Sequence, residues 1–196
     1  HDERELSGEL KDRYLEVALR KSERLEELIN EFFEITRFNL SHMELEISSV
    51  NMTVMLEQLM YEFRPMFAER RLSYQLELEP GLEVSCDVDK MARVFDNLLK
   101  NAVNYSYENT QIRVRAVRWG ERGMEFVLIN HGRTIPAEKL ERIFEQFFRM
   151  ESSRTSKTGG AGLGLAIARE IVQLHGGTLT CASEKETIIF TLRLKG

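Results

Sequence analysis

Along the first forty positions, Leu15, Ala18, Ser22, Leu25, Ile29, Phe32 and Thr36 recur at alternating intervals of three and four. That spacing keeps one stripe on one side of an α-helix and predicts a single helix over about residues 5–40. Leu28, Phe33 and Ile35 widen the stripe to the broader face of a bundle helix. Glu23, Arg24, Glu27 and Arg37 fill the remainder, and neither glycine nor proline interrupts after Gly8. One helix cannot bury such a face on itself, so partner helices are expected.

Beyond Asn39 the periodicity shortens and changes. Leu45-Glu46-Ile47 alternates like an edge strand, and a helix starting at Asn51 or Thr53 is predicted through about Arg70, with Pro65 late within it as a kink. Leu72–Leu78 and Leu82–Cys86 flank the turn Pro80-Gly81 and are expected to pair as a hairpin. Asp87 or Asp89 can cap a helix running to Tyr105, whose apolar face carries Met91, Val94, Phe95, Leu98, Leu99 and Ala102. Strands are predicted at Gln111–Arg118 and Met124–Asn130, then a short helix from Pro136 to Phe144. After a polar segment comes a helix from Leu163 to His175, stopped by Gly176-Gly177, and two strands, Thr178–Ser183 and Thr187–Leu194. The sum is a two-layer α/β sandwich, a mixed sheet with three main helices, preceded by one long N-terminal helix. Two domains are expected, residues 1–41 and 42–196.

Composition adds bounds. With 196 residues and 42% hydrophobic content the chain can bury one good core and a helical appendage. A net charge of −5 argues against a nucleic-acid partner. Cys86 and Cys181 have no ligand-like neighbours in sequence and are expected to be reduced core residues. No apolar run is long enough to span a bilayer, so the chain is expected to be soluble as given.

The chemistry concentrates in Lys157-Thr158-Gly159-Gly160-Ala161-Gly162-Leu163-Gly164-Leu165, with four glycines in the six residues 159–164. Glycine leaves backbone N–H groups unshielded, and the helix that follows adds free donors and the positive end of its dipole, which suits a polyphosphate. No Gly-Lys-Ser/Thr follows, so this is not a P-loop, and no apolar strand precedes it, which disfavours a dinucleotide fold. A flexible hinge is the alternative for this stretch alone. Asn97 and Asn101 lie four apart on one helix face, and their carboxamide oxygens are hard neutral ligands suited to a Mg²⁺ that bridges phosphates. Paired solvent-facing asparagines are the plainer alternative. At the end of a predicted strand, Asn130-His131-Gly132 offers an acceptor and a glycine for reading a base edge. The run Ile143–Arg149 places aromatics before the cations Arg149, Arg154 and Lys157, which can clamp outer phosphates or form a solvated lid.

In this order, N-x-x-x-N, N-x-G, F-x-x-F-F-R and G-x-G-L-G-L resemble the N, G1, F and G2 boxes of sensor histidine kinases. Their ATP-binding domain shares its fold with DNA gyrase, the heat-shock chaperone ATPases and the MutL proteins. The likeness covers about residues 45–194, and the helix before it resembles the second helix of a dimerisation and histidine-phosphotransfer hairpin. The runs Leu28–Arg37 and Lys157 onward look most like the sensor kinases of vancomycin-type glycopeptide resistance. The resemblance implies that Asn97 and Asn101 coordinate Mg²⁺ on ATP and that Tyr105 stacks near the adenine. It implies that Asn130 accepts from the adenine amino group in place of the usual aspartate, without charge assistance. Gly132, Ile135, Lys157, Gly160, Gly162, Leu163, Gly164 and Leu165 fall among the implied nucleotide contacts, and Asn101, Arg149 and Arg154 among the catalytic residues. Thr134 stands where a second G1 glycine is usual, and Asn104 where a Lys or Arg is often found, so a micromolar or weaker ATP affinity is expected. The implied partners are a response regulator and a second copy of the longer protein, with a membrane reached only through other segments.

Gyrase-like ATPases hold a glutamate as general base where this chain has Asn97, and an amide cannot take a proton at neutral pH. Asp96 is one residue off, about 100° around the helix. Phosphoryl transfer to a protein acceptor is therefore favoured over water attack. No histidine of the chain stands in the H-[D/E]-x-x-x-P context of a phosphoacceptor: His1-Asp2 continues without the proline, and His42, His131 and His175 lack it too. The expectation is a truncated kinase that binds nucleotide without phosphorylating itself. A serine kinase or an ATPase of the same fold, and a scaffold whose site no longer binds ATP, are the alternatives.

Overall fold

The structure, a computed structural model, describes residues 10–22, 25, 26, 29, 44–150 and 162–195. The chain divides into two units, His1–Met43 and Glu44–Gly196. In the first, residues 10–22 form a helix, α1, with Leu15 exposed, as are Leu25 and Ile29 further on. The remainder of the long predicted helix, Phe32 and Thr36 included, lies outside the described residues.

The second unit is built around Asp87, where a strand ends and the longest helix of that unit begins. Its elements are β1 (Ile47–Asn51), α2 (Met52–Glu62), α3 (Arg64–Glu69), β2 (Ser73–Leu78), β3 (Glu83–Asp87), α4 (Val88–Tyr105), β4 (Gln111–Trp119) and β5 (Gly123–His131). Two 3₁₀ turns, Ala137–Lys139 and Arg142–Phe144, then precede α5 (Gly164–Leu174), β6 (Thr178–Glu184) and β7 (Thr187–Leu194). The main sheet has the order β2-β4-β5-β7-β6, with β2 parallel to β4 and every other neighbour antiparallel. β1 and β3 make a separate antiparallel pair.

The expected hairpin of β2 and β3 does not form. Thr53, in the first turn of α2, donates its hydroxyl to the Glu79 carbonyl at 2.7 Å and accepts from the Leu82 N–H at 3.1 Å. Met52 N–H donates to the Leu82 carbonyl at 2.8 Å. The turn is thus tied to α2 and turns the strand after it onto β1, while Glu79 N–H extends β2 along β4. The first strand also starts later than expected, at Ile47 instead of Leu45. The predicted helix to Arg70 is two helices: α2 breaks at Phe63 and Pro65 sits in the first turn of α3, where its missing N–H is harmless. The short helix expected from Pro136 to Phe144 is the pair of 3₁₀ turns.

Asp87 caps α4: its side chain accepts from Lys90 N–H at 3.1 Å and pairs with the Lys90 ammonium at 2.5 Å. Glu46 N–H adds a third contact at 3.1 Å. Burial opposes ionisation of this carboxyl, but the Lys90 ammonium and the two backbone N–H groups together hold it below the ordinary carboxylate range. The apolar face of α4 is buried from Met91 to Val103, and Phe95 meets Phe126 of β5 at 4.8 Å between ring centroids. α4 and α5 pack together over one face of the sheet. The other face carries cross-strand charges such as Glu125, which pairs with Arg115 at 3.5 Å and Arg193 at 2.8 Å. Both cysteines are free. Burial pushes the Cys86 thiol up to about 11 and the Cys181 thiol, which also faces Glu141, up to about 12.

Candidate functional site

The site is assembled where the C-terminal half of α4, the end of β5 and the start of α5 meet. α4 presents Asn97 and, one turn on, half-buried Asn101. α5 begins directly against Asn97: a Cβ on Gly164 would lie 2.9 Å from Asn97 Oδ1, closer than side chains pack. Among the described residues no side chain caps the N-terminus of α5, and no acidic residue sits in its first turn. Its opening turn and dipole therefore lie against the Asn97 carboxamide with no capping or first-turn acid among the described residues. Asn97 Nδ2 is buried with no hydrogen-bond partner among the described residues. Asp96, turned away from this junction, pairs with Lys100 at 2.9 Å.

At the other end, Asn130 on β5 is 1% exposed and points into the helix layer with Phe126 and Leu128. Its Nδ2 donates to Ser106 Oγ at 3.2 Å, and its Oδ1 has no partner among the described residues. A buried lone acceptor is costly, so it is the natural seat for a ligand donor. Gly132 next to it is required by the protein itself: a Cβ there would fall 2.2 Å from the Tyr105 carbonyl oxygen. Tyr105, the last residue of α4, is exposed. Thr134 has its own task, since its hydroxyl accepts from Glu186 N–H at 2.9 Å. With Gly132 N–H donating to the Glu186 carbonyl at 2.9 Å, it pins the turn Lys185-Glu186, where both residues have positive φ. Ile135 is buried and its N–H donates to Ser183 Oγ at 2.9 Å.

The base of the polar segment adjoins the start of α5. Phe147 adopts φ 62° and is exposed, yet its N–H donates to the Gly162 carbonyl at 3.1 Å. Gly162 has φ 79°, and a Cβ there would meet the Phe148 carbonyl oxygen at 2.8 Å and Arg149 Cγ at 3.2 Å. The two ends of the loop are thereby pinched together. Arg142 lies over the Phe148 ring at 4.6 Å, and Arg169 of α5 lies over Phe144 at 5.1 Å while bonding Glu141 at 3.0 Å. Phe144 is core, edge-on to Phe190. Leu163 is buried and is the N-cap residue of α5, and Leu165 is the second residue of that helix.

Of the residues singled out in the sequence, the structure brings Asn97 to Gly164 and Arg149 to Gly162, and sets Asn130, Gly132 and Tyr105 together at the other end. Arg154, Lys157 and Gly160 lie outside the described residues. Sequence reasoning missed Ser106, Glu186 and Arg142, none of which belongs to a box. Among the described residues there is no cluster of three His, Cys, Asp or Glu side chains able to cage a metal. The donor set instead fits a Mg²⁺ held by carboxamide oxygens and completed by waters and phosphate. The unpartnered Asn97 Nδ2 is a donor and, with the N-terminus of α5, suits phosphate oxygens, while the ion itself would be held by the carboxamide oxygens.

A buried acceptor at the strand end, paired carboxamides on one helix and an anion-ready helix start are the kinds of group that a nucleotide needs. The chain matches the family described as histidine kinase-, DNA gyrase B-, and HSP90-like ATPase over residues 86–196, and it belongs to that family. It is 47% identical to sensor protein VanSC of Enterococcus gallinarum over 193 residues, covering 98% of this chain and 53% of that protein. It is 41% identical to sensor protein VanS of Enterococcus faecium over 184 residues, covering 94% of this chain and 47% of that one. The chain thus spans about half the length of the curated relatives it matches. Histidine kinase ThkA, solved in complex with response regulator protein TrrA, superposes with a TM-score of 0.78 at 22% identity, over 98% of this chain and 53% of ThkA. The two-layer fold with its mixed five-stranded sheet is that of histidine kinase catalytic domains.

Proposed function

We propose that this chain is the ATP-binding, catalytic part of a two-component sensor histidine kinase, transferring the γ-phosphoryl of ATP to a protein histidine. One observation carries the choice of reaction. At the junction of α4 and α5 the side chain against Gly164 is an amide, Asn97, and the neighbouring carboxylate, Asp96, is turned away onto Lys100. Among the described residues neither of these supplies a general base for water, so a nucleophile brought by another polypeptide segment suits the site better.

In this proposal Asn130 Oδ1 accepts from the adenine amino group, Tyr105 covers the ring and Ile135 lines the pocket. Asn97 and Asn101 hold Mg²⁺, which supplies charge neutralisation along the phosphates. Gly160, Gly162, Leu163, Gly164 and Leu165 form the phosphate-binding turn and helix start, and Arg149, Arg154 and Lys157 reach the outer phosphates from the lid. Residues 1–41 supply the second helix of a dimerisation hairpin and 42–196 the catalytic domain. The whole protein works as a membrane-attached homodimer that passes the phosphoryl group to a VanR-like response regulator in glycopeptide resistance. The likeness to VanSC and VanS supports this assignment. Among the described residues no helix is long and apolar enough to cross a membrane.

The test supplies γ-labelled ATP with Mg²⁺ and, in a second reaction, a separately made helical hairpin carrying an H-box histidine from such a sensor. Labelling of the hairpin that is lost in acid and survives base is expected, with none on the chain alone. Phosphate release without labelling of the hairpin would favour an ATPase instead.

A further inference from the structure

We infer that Ser106 is the residue that selects adenine, by fixing which face of the Asn130 carboxamide meets the base. The inference rests on the proposed ATP site and concerns how that site tells one purine from another. An aspartate offers an acceptor whichever way it turns. An asparagine does not: rotated by 180° it presents Nδ2 in place of Oδ1, and would then welcome a 6-oxo purine instead of a 6-amino one. A chain that uses Asn130 here therefore needs something to hold the amide in one orientation.

Ser106 does so through the direction of its own hydrogen bonds. Its Oγ lies 2.5 Å from the Ala102 carbonyl oxygen. A carbonyl has no proton to give, so the hydroxyl proton must lie between those two oxygens; otherwise two sets of lone pairs would abut. With its proton committed to Ala102, Ser106 Oγ has only lone pairs left for Asn130, 3.2 Å away. Those lone pairs accept from Nδ2 and repel Oδ1. Asn130 must then turn Oδ1 away from Ser106, where it has no partner among the described residues and where the proposed site puts the base. The serine is itself held: it is buried, its N–H donates to the same Ala102 carbonyl at 3.0 Å, and it bridges to Gly132 beside Asn130. Tyr107 N–H closes the segment onto the His131 carbonyl at 2.8 Å. Ser106 touches no ligand in this account and is a positioning residue.

The experiment compares ADP with IDP, which differ in the 6-amino and 6-oxo groups, by calorimetry on the full chain and on Ser106→Ala and Ser106→Thr. The unaltered chain should prefer ADP by at least about tenfold. S106A should bring the ratio below about threefold by weakening ADP and strengthening IDP, while S106T, which keeps the hydroxyl, should retain the preference. A second readout needs no nucleotide. In chain labelled with ¹⁵N-asparagine, the Asn130 side-chain amide, assigned by its loss in Asn130→Ala, should be slow to exchange in the unaltered chain and in S106T, and fast in S106A. If S106A folds and keeps both the ADP preference and the slow amide, the inference is overturned with the ATP site intact. If neither nucleotide binds the unaltered chain while the amide remains slow, the ATP site itself is wrong and the inference falls with it.

Discussion

Gly164 shows how a single residue can be held against its own helix preference. Glycine at the start of a helix is intrinsically worse than alanine by up to about 1 kcal/mol, so Gly164→Ala should leave stability unchanged or raised. The added Cβ would nonetheless displace Asn97 Oδ1, which it would approach to 2.9 Å. The expected result is a folded protein, by circular dichroism, whose Mg-ATP affinity falls at least about tenfold. Gly162 behaves differently, because its φ of 79° and the backbone oxygen of Phe148 leave an alanine no room to yield. G162A should be destabilised by about 1–2 kcal/mol in urea unfolding, with the neck at Phe147 opened. The cysteines make a third case at this scale. Their raised thiols hold little thiolate at neutral pH, so both should react slowly with an aromatic disulfide reagent in the native chain and rapidly once unfolded.

At the scale of elements, α4 was legible in the sequence because its apolar period and its Asp87 cap agree with each other and with the tertiary packing. The β2–β3 hairpin was misread because Pro80-Gly81 is a sound turn signal, while the groups that redirect it, Thr53 and the start of α2, lie 26 and 29 residues away in sequence from the atoms they bind. Local pattern cannot report a bond of that span. The turn Lys185-Glu186 was opaque for a related reason: two non-glycine residues hold positive φ there, supported by Thr134 and Gly132 from across the sheet. The Asp87 cap carries a pH dependence. Its folded carboxyl titrates below the unfolded one, so its contribution is present above the unfolded value near about 4 and is lost as pH falls through the folded value. Urea unfolding from pH 7 down to 3 should show a loss of stability toward acid that is shallower in Asp87→Asn, and Asp87→Ala should cost about 1–2 kcal/mol at neutral pH.

At the scale of the molecule, the ordered boxes were readable because each is a short run fixed by one element, whereas the links between them were not. Ser106 joins α4 to β5 and Arg142 joins a 3₁₀ turn to Phe148, and neither type of residue is unusual enough to mark its place in a sequence. The central claim is that α4, the end of β5 and the start of α5 form one nucleotide site with carboxamides in place of carboxylates. Calorimetric titration of the chain with Mg-ATP tests it most directly, in parallel with an Asn101→Ala variant that keeps the fold by circular dichroism. One site per chain with micromolar or weaker affinity, lost in N101A, is the predicted result. Absence of binding to the unaltered chain, or equal binding by the folded N101A variant, would contradict it.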